Sequence, residues 1–148
     1  MDNRFEHFSL SIFRISHYWS KIATEEMKKH GLKGAYAIYL VTLLNYDGEM
    51  TSAKLAELCQ RDKADVSRAI TTFYEQGLLE RPVSNNYRAV LKLSDKGITI
   101  ARQVNARADL AIQLASKGVS DAMRADMYES LDIISDNLKE ISKAGLPE

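Results

Sequence analysis

The segment between Asp62 and Gly77 has the pattern of one helix with two unlike faces. Its larger apolar residues recur at spacings of four and three, which places them on the same face: Val66, Ile70 and Phe73. The other face carries small or hydroxyl-bearing residues around a single arginine: Ala64, Ser67, Arg68, Thr71 and Thr72. Such a helix is held to a core along one side and presents a polar side that can contact another molecule.

A second, shorter helix is predicted just before this segment. Thr51 or Ser52 can cap a helix that runs to Cys59. Its inward-facing residues are expected to be Leu55, Ala56 and Leu58. A tight turn then leads to Asp62, which can cap the longer helix. This order is that of a helix-turn-helix, whose second helix fits the major groove of DNA.

Two extended runs follow the glycine that ends the longer helix. Residues 79–83 and 89–93 flank a polar tip at 84–88, whose residues favour turns. This pattern predicts a β-hairpin. Arg88 lies near the tip, where the hairpin could act as a wing that reaches a neighbouring groove or phosphate.

Long helices are predicted at both ends of the chain. Residues 4–29 carry a narrow apolar seam, formed by Phe5, Phe8, Ile12, Ile15, Trp19 and Ile22. Residues 35–46 are apolar nearly all round, as in a buried helix. Further helices are predicted from Ser94 to about Ser116 and onward from Ser120. The last of them carries a second seam, formed by Met127, Leu131, Ile134, Leu138 and Ile141.

The fold class predicted from this order is mainly α with a small β-hairpin wing. Residues 35–93 are expected to form a winged helix-turn-helix domain, and residues 1–34 with 94–148 a helical dimerisation region. The middle portion cannot cover both seams. We therefore expect the ends of the chain to pack together and against a second copy, as a homodimer with twofold symmetry.

The charge balance neither requires nor excludes a nucleic-acid partner. The chain has 20 basic and 20 acidic residues, so its net charge is zero. Exposed charges more than about 8 Å apart are largely screened at physiological salt, so distant acids do not cancel a local basic patch. Between Arg61 and Lys92 there are six basic and four acidic residues, an excess of two positive charges.

Composition restricts where the protein is expected to act and which kinds of site it can form. No apolar run reaches the roughly 20 residues that cross a bilayer, and the polar start differs from a secretory signal. A cytoplasmic protein without membrane contact is expected. A single cysteine excludes an internal disulfide and a multi-cysteine zinc site. No cofactor is expected.

Arg68 is the best candidate for reading a base. A bidentate pair between arginine and guanine supplies about 1–3 kcal/mol of discrimination. Ala64 is small enough to let the backbone approach DNA closely. The predicted DNA-binding residues are Lys63, Ala64, Ser67, Arg68, Thr71, Thr72, Arg81, Arg88 and Lys92. Phosphate contacts are expected from Lys63, Arg81, Arg88 and Lys92.

The segment Asp62-Lys-Ala-Asp-Val-Ser-Arg-Ala-Ile, the later Gly77-Leu-Leu-Glu-Arg81, and Leu93-Ser-Asp-Lys-Gly97 after the hairpin resemble the MarR-type winged-helix transcriptional regulators. The resemblance covers nearly the whole chain. It implies an obligate dimer formed by the terminal helices and a winged helix-turn-helix in each subunit. The implied function is binding to a pseudo-palindromic DNA operator as a ligand-responsive repressor.

The wing departs from the pattern of the family. Its tip, Ser84-Asn-Asn-Tyr-Arg88, carries one arginine, whereas the family usually places an aspartate closely before arginines. We therefore expect Arg88 to contact phosphate rather than to read bases.

The resemblance also implies a small aromatic effector, bound between the dimer helices and the winged domain. The candidates for such a pocket are His17, Tyr18, Trp19, Tyr36 and Tyr39. Ordinary packing explains the same residues, because aromatic side chains dominate cores with or without a ligand.

Other functions have less support in the sequence. Cys59 is more often a small buried residue than a redox sensor at such a position. His7, His17 and His30 lack the spacing of metal ligands on a helix. No nucleophile–base pair, phosphate loop or paired-carboxylate motif stands out, and no enzyme is expected. The alternative is a winged-helix dimer that binds another protein and not DNA. The unusual wing and the small local charge leave this alternative open.

Overall fold

The computed structural model describes residues 3–82 and 89–148. Six α-helices lie in this part of the chain, close to the bounds predicted from the sequence. They are α1 (Arg4–Lys28), α2 (Ala37–Asn45), α3 (Ser52–Cys59), α4 (Lys63–Glu75), α5 (Asp95–Ala115) and α6 (Asp121–Ala144). A short 3₁₀ turn, Gly34–Tyr36, precedes α2.

Side-chain caps begin several of these helices. Thr51 accepts a hydrogen bond from the backbone N–H of Lys54, and Ser120 accepts one from Met123. These bonds occupy donors that a helix cannot satisfy internally at its start. The starts of α3 and α6 are therefore fixed locally, which explains why the sequence predicted them well.

The chain divides into two compact units, residues 1–110 and 111–148. In the first unit the core lies around α2 and α4 and includes the end of α1 and the chain segments at 78–79 and 91–93. Its largest fully buried side chains are Met27, Tyr39, Leu40, Leu55, Val66, Phe73 and Leu78. The predicted division at residues 34 and 93 stays a prediction.

The second unit consists of the last residues of α5 and the whole of α6. The structure describes all of residues 111–148, and none of them is buried. The seam predicted on this helix is exposed along its length, from Met127 to Ile141.

The predicted hairpin is not observed as a pair of regular strands. Within the described residues, Leu79 pairs with Leu93, and Leu91 pairs with Met50, each as an isolated antiparallel bridge. Glu80 also donates its backbone N–H to the carbonyl of Lys92 at 2.8 Å. Pro82 has no N–H to continue this ladder, which limits regular pairing. Val83 and the predicted tip at 84–88 lie outside the described residues.

The prediction for α3 was wrong at one residue. Leu55 and Ala56 are buried as expected, but Leu58 is 45% exposed. α3 is only two turns long, and a residue three positions after Leu55 lies at the edge of its buried face rather than at the centre.

Among residues 3–82 and 89–148, no helix combines the length and apolar character that a membrane span requires.

Candidate nucleic-acid interface

A sharp turn brings α4 close behind α3. Gln60 adopts a left-handed conformation with φ of 49°, which few residues other than glycine take. Its side-chain amide donates to the carbonyl of Glu57 at 2.8 Å, and the N–H of Arg61 donates to the carbonyl of Ala56 at 3.0 Å. These bonds close the end of α3. Asp62 then caps α4 by accepting from the N–H of Ala64 at 3.0 Å, as predicted.

The inner face of α4 is fixed in the core. Val66 and Phe73 are fully buried, and Ile70 is buried with them, so the three residues predicted to anchor the helix do so. Ala69 is also buried. The ring of Phe73 meets that of Tyr36 edge to face, with centroids 5.8 Å apart. This packing fixes which side of α4 faces solvent.

The outer face of α4 carries the predicted DNA-contacting side chains. Thr72 is half-buried, and the exposed members are Lys63, Ala64, Ser67, Arg68 and Thr71. Arg68 stands out from this face with 63% of its side chain exposed. Thr71 donates its hydroxyl hydrogen to the carbonyl of Ser67 at 3.0 Å, so this hydroxyl is arranged to accept a bond from a partner.

Asp65 links the outer face to the core. Its Oδ2 accepts a hydrogen bond of 2.5 Å from the hydroxyl of Tyr39, which lies fully buried on α2. Its Oδ1 lies 3.6 Å from a terminal nitrogen of Arg68. Asp65 also lies in the first turn of α4, where the helix dipole favours an acid.

The environment of Tyr39 keeps its hydroxyl protonated. Burial raises the pKa of the Tyr39 phenol well above its usual value, and the hydrogen bond to Asp65 with the charge of that carboxylate raises it further. Tyr39 is therefore the donor and Asp65 the acceptor in their hydrogen bond. The other oxygen of Asp65 faces Arg68.

The remaining basic residues lie after α4. Arg81 is exposed, and the ammonium group of Lys92 lies 3.9 Å from the carboxylate of Glu80 with 73% of its side chain exposed. An exposed pair at this distance holds Lys92 weakly, so its charge is accessible to a phosphate. Arg88 lies outside the described residues.

The residues predicted for an effector pocket have two kinds of environment. Tyr36 and Tyr39 are buried in the core, with ring centroids 6.1 Å apart. His17, Tyr18 and Trp19 lie on exposed parts of α1, where the rings of His17 and Tyr18 meet edge to face. The pocket stays a prediction.

Cys59 is half-buried at the end of α3, and its sulfur lies 3.7 Å from the hydroxyl of Thr42. This environment is that of a small residue at the edge of a core.

The link between Tyr39 and Asp65 joins residues 26 positions apart and was not predicted from the sequence. One signal pointed toward it. A tyrosine in a helix that is apolar nearly all round needs a partner for its hydroxyl, because a buried polar group without one is costly. The sequence does not identify that partner.

Comparison with known proteins shows a resemblance to one family. Residues 38–90 match the sequence model of the MarR family. No curated protein sequence matches the chain significantly.

Solved structures share the fold. A protein from Listeria monocytogenes, described as a MarR family transcriptional regulator in complex with a 26mer DNA, is 20% identical with a TM-score of 0.79, over 100% of this chain and 99% of that one. The S. aureus MepR–DNA complex is 20% identical with a TM-score of 0.79, over 93% and 99% of the two chains. A MarR transcriptional regulator from Methanosarcina mazei Go1 is 20% identical with a TM-score of 0.78, over 92% and 99%. This chain has the sequence pattern of the MarR family in residues 38–90, and it shares the fold of solved members of that family. The resemblance to the MarR family that was predicted from the sequence is therefore confirmed.

Proposed function

We propose that this protein is a sequence-specific DNA-binding transcriptional regulator that acts as a dimer on a pseudo-palindromic operator. The observation that carries the proposal is the outer face of α4. A cation is presented there among small and hydroxyl-bearing residues, on a helix whose other face is fixed in the core. A flat helix face of this kind fits the major groove, where base edges can be read.

The similar proteins add support for the DNA partner. The regulators from L. monocytogenes and S. aureus were crystallised with DNA, and this chain shares their fold. In the present chain, base reading is assigned to Arg68 with Ser67 and Thr71, and the backbone of Ala64 approaches the groove. Thr72 lies at the edge of this surface. Lys63, Arg81, Arg88 and Lys92 are assigned to phosphates.

The proposed mechanism is geometric. Two copies of α4 in a twofold dimer must lie about 34 Å apart to enter successive major grooves on one side of a duplex. A ligand that changed this separation would release DNA, which makes the protein a ligand-responsive repressor. The aromatic residues of α1, with Tyr36 and Tyr39, are the candidates for binding a small aromatic effector.

The experiment that tests the proposal is a binding titration with a duplex selected from a random DNA pool, read by fluorescence anisotropy. Wild-type protein is expected to bind the selected duplex well above a scrambled one. If six or more phosphates are contacted, affinity should fall by about 10³ or more between 50 and 200 mM salt. Selection of no common sequence, or binding independent of salt, would contradict the proposal and favour a protein-interaction module.

Two variants of α4 distinguish the reading of bases from contact with phosphates. Arg68→Ala should lower the ratio of specific to scrambled binding, by about 1–3 kcal/mol at the base pair that Arg68 reads. Lys63→Ala removes a charge from the same helix and should weaken both duplexes alike, with a shallower salt dependence. The reverse pattern would exchange the roles assigned to these two residues.

A further inference from the structure

The carboxylate of Asp65 contacts one buried residue and one exposed residue. Through Oδ2 it is bound at 2.5 Å by the hydroxyl of Tyr39, whose side chain is fully buried. Through Oδ1 it faces Arg68 at 3.6 Å, and 63% of the arginine side chain is exposed. One oxygen is thus fixed by the core, and the other is directed at the residue that stands out from the helix.

This arrangement differs from an ordinary surface ion pair. Exposed pairs of acid and arginine usually contribute little, because both long side chains must lose freedom to meet. Here the carboxylate is already held, since Tyr39 is packed against Tyr36 within the core and donates from a fixed position. Only Arg68 has freedom to lose, so its guanidinium is preferentially held on the side of Asp65.

We propose that Tyr39 and Asp65 are positioning residues that orient Arg68 toward a guanine and thereby set the base preference of α4. The inference rests on the proposed function, because it assigns how the same surface discriminates between sequences. The arginine has five N–H donors in a planar fork, so one contact with Asp65 leaves donors for the two guanine acceptors.

The charge of Asp65 adds a second contribution. A carboxylate close to the proposed DNA surface repels phosphates, and it does so whatever the base sequence. Binding to unrelated DNA is thereby weakened, while the correct base recovers affinity through Arg68. Removing the Tyr39 hydroxyl keeps this charge, whereas changing Asp65 to an amide removes it, so the two contributions can be measured separately.

The variant Tyr39→Phe tests the inference directly. It deletes only the hydroxyl and keeps the ring in the core and the charge of Asp65. The measurement is the Kd for a duplex changed at one guanine divided by the Kd for the selected duplex. That guanine is the one that Arg68 reads, identified as the position at which Arg68→Ala no longer discriminates. We expect this ratio to fall about five- to tenfold, a part of the discrimination that an arginine–guanine pair supplies. Affinity for scrambled DNA and the salt dependence should stay unchanged.

The matched control is Tyr74→Phe, which removes a tyrosine hydroxyl from α4 itself. Tyr74 is half-buried and lies about one helical turn after Ile70, on the side of α4 that faces the core. Among the described contacts, the hydroxyl that donates to Asp65 is that of Tyr39 and not that of Tyr74. The discrimination ratio of this variant should equal that of wild type. Thermal unfolding of both variants shows whether either change acts through stability alone.

Asp65→Asn keeps the test decisive if Tyr39→Phe folds poorly, and a double variant tests whether the Tyr39 hydroxyl acts through Arg68. Asp65→Asn should lower the ratio and also raise affinity for scrambled DNA, because a negative charge is lost near the phosphates. Tyr39→Phe combined with Arg68→Ala should discriminate no less than Arg68→Ala alone, because the hydroxyl acts only through the arginine.

The outcomes distinguish this inference from the function on which it rests. Sequence-specific binding by wild type, with an unchanged ratio in Tyr39→Phe and Asp65→Asn, overturns the positioning role alone. A loss of discrimination from Tyr39→Phe in the Arg68→Ala background also overturns it. Failure of the wild-type protein to prefer any sequence overturns both.

Discussion

Gly97 lies where the first turn of α5 passes against the chain that follows α4. A Cβ atom at this position would lie 2.0 Å from the carbonyl oxygen of Leu78. Ser94 fixes the approach, because its hydroxyl donates to the carbonyl of Gly77 at 2.6 Å and accepts from the N–H of Gly97 at 3.0 Å. A glycine is therefore required here for close packing and not for its backbone angles.

The variant Gly97→Ala tests this close approach. Helix propensity alone predicts that alanine stabilises an α-helix by about 1 kcal/mol relative to glycine. The contact with Leu78 has the opposite sign and is larger, since backbone atoms must move to admit a methyl group. We expect a loss of about 3 kcal/mol in the free energy of unfolding, measured by urea denaturation.

The control for this prediction is Gln103→Ala on the same helix. Gln103 is exposed, and its replacement should change stability by less than about 0.5 kcal/mol. A stabilised Gly97→Ala variant would mean that the chain after α4 can move away from α5 at little cost.

At the level of elements, the helices could be predicted because their signals are local. Thr51, Asp62 and Ser120 lie at the expected caps, and the spacing of Val66, Ile70 and Phe73 gave the buried face of α4. Each of these signals lies within a few residues of the feature that it specifies.

The features that could not be predicted from the sequence depend on contacts between residues that are distant in the chain. Leu91 pairs with Met50 rather than continuing a hairpin, and no local pattern indicates that partner. The surface of α4 was predicted, but the hydrogen bond from Tyr39 that holds Asp65 was not. Periodicity identifies which residues share a face, whereas pairing across the fold depends on how the elements pack.

One contact between elements connects α1 to α5. Arg107 donates from Nε and from a terminal nitrogen to the two carboxylate oxygens of Glu26, both at 2.9 Å. Lys29 also donates to Glu26, at 2.8 Å. The hydrogen bond from Arg107, followed by that from Lys29, lowers the pKa of Glu26 to about 2 from the usual 4.5.

This shift predicts how stability depends on pH. Because the pKa of Glu26 is lower in the folded than in the unfolded protein, the carboxylate stabilises the fold fully above about pH 4.5. This stabilisation is lost as the pH falls from about 4.5 toward 2. In Arg107→Gln the stability should be lower at pH 7, and the difference from wild type should shrink as the pH falls through this range. Urea denaturation at pH 7, 4 and 3 measures the difference.

Arg102→Gln is the matched control, because it removes the same charge from an exposed position of the same helix. Its difference from wild type should not follow the titration of Glu26. If both variants changed with pH in the same way, the effect would come from overall charge and not from the link between α1 and α5.

At the level of the whole molecule, each unit exposes an apolar stripe that a protein in water normally covers. On α1 the exposed side chains include Phe5 at 77% and Ile15 at 67%. On α6 they include Met127, Leu131, Ile134, Leu138 and Ile141. Contiguous apolar surface of this kind commonly marks an interaction site. The proposed dimer, formed by the terminal helices of two chains, would cover both stripes.

The variant Ile15→Glu tests the dimer and its connection to DNA binding together. A charge in the proposed interface would have to be buried without a partner, so the dimer should dissociate. Light scattering should give twice the 16.7 kDa chain mass for wild type and a single chain mass for the variant. Because one subunit can occupy only one half-site, affinity for a palindromic duplex should fall by about 10² or more, as expected when linked binding is lost.

Ser20→Glu introduces the same charge at an exposed position on another face of α1 and should leave mass and affinity unchanged. A dimeric Ile15→Glu variant with full affinity would place the subunit contact elsewhere, and a monomeric wild type would remove the geometric basis of operator recognition.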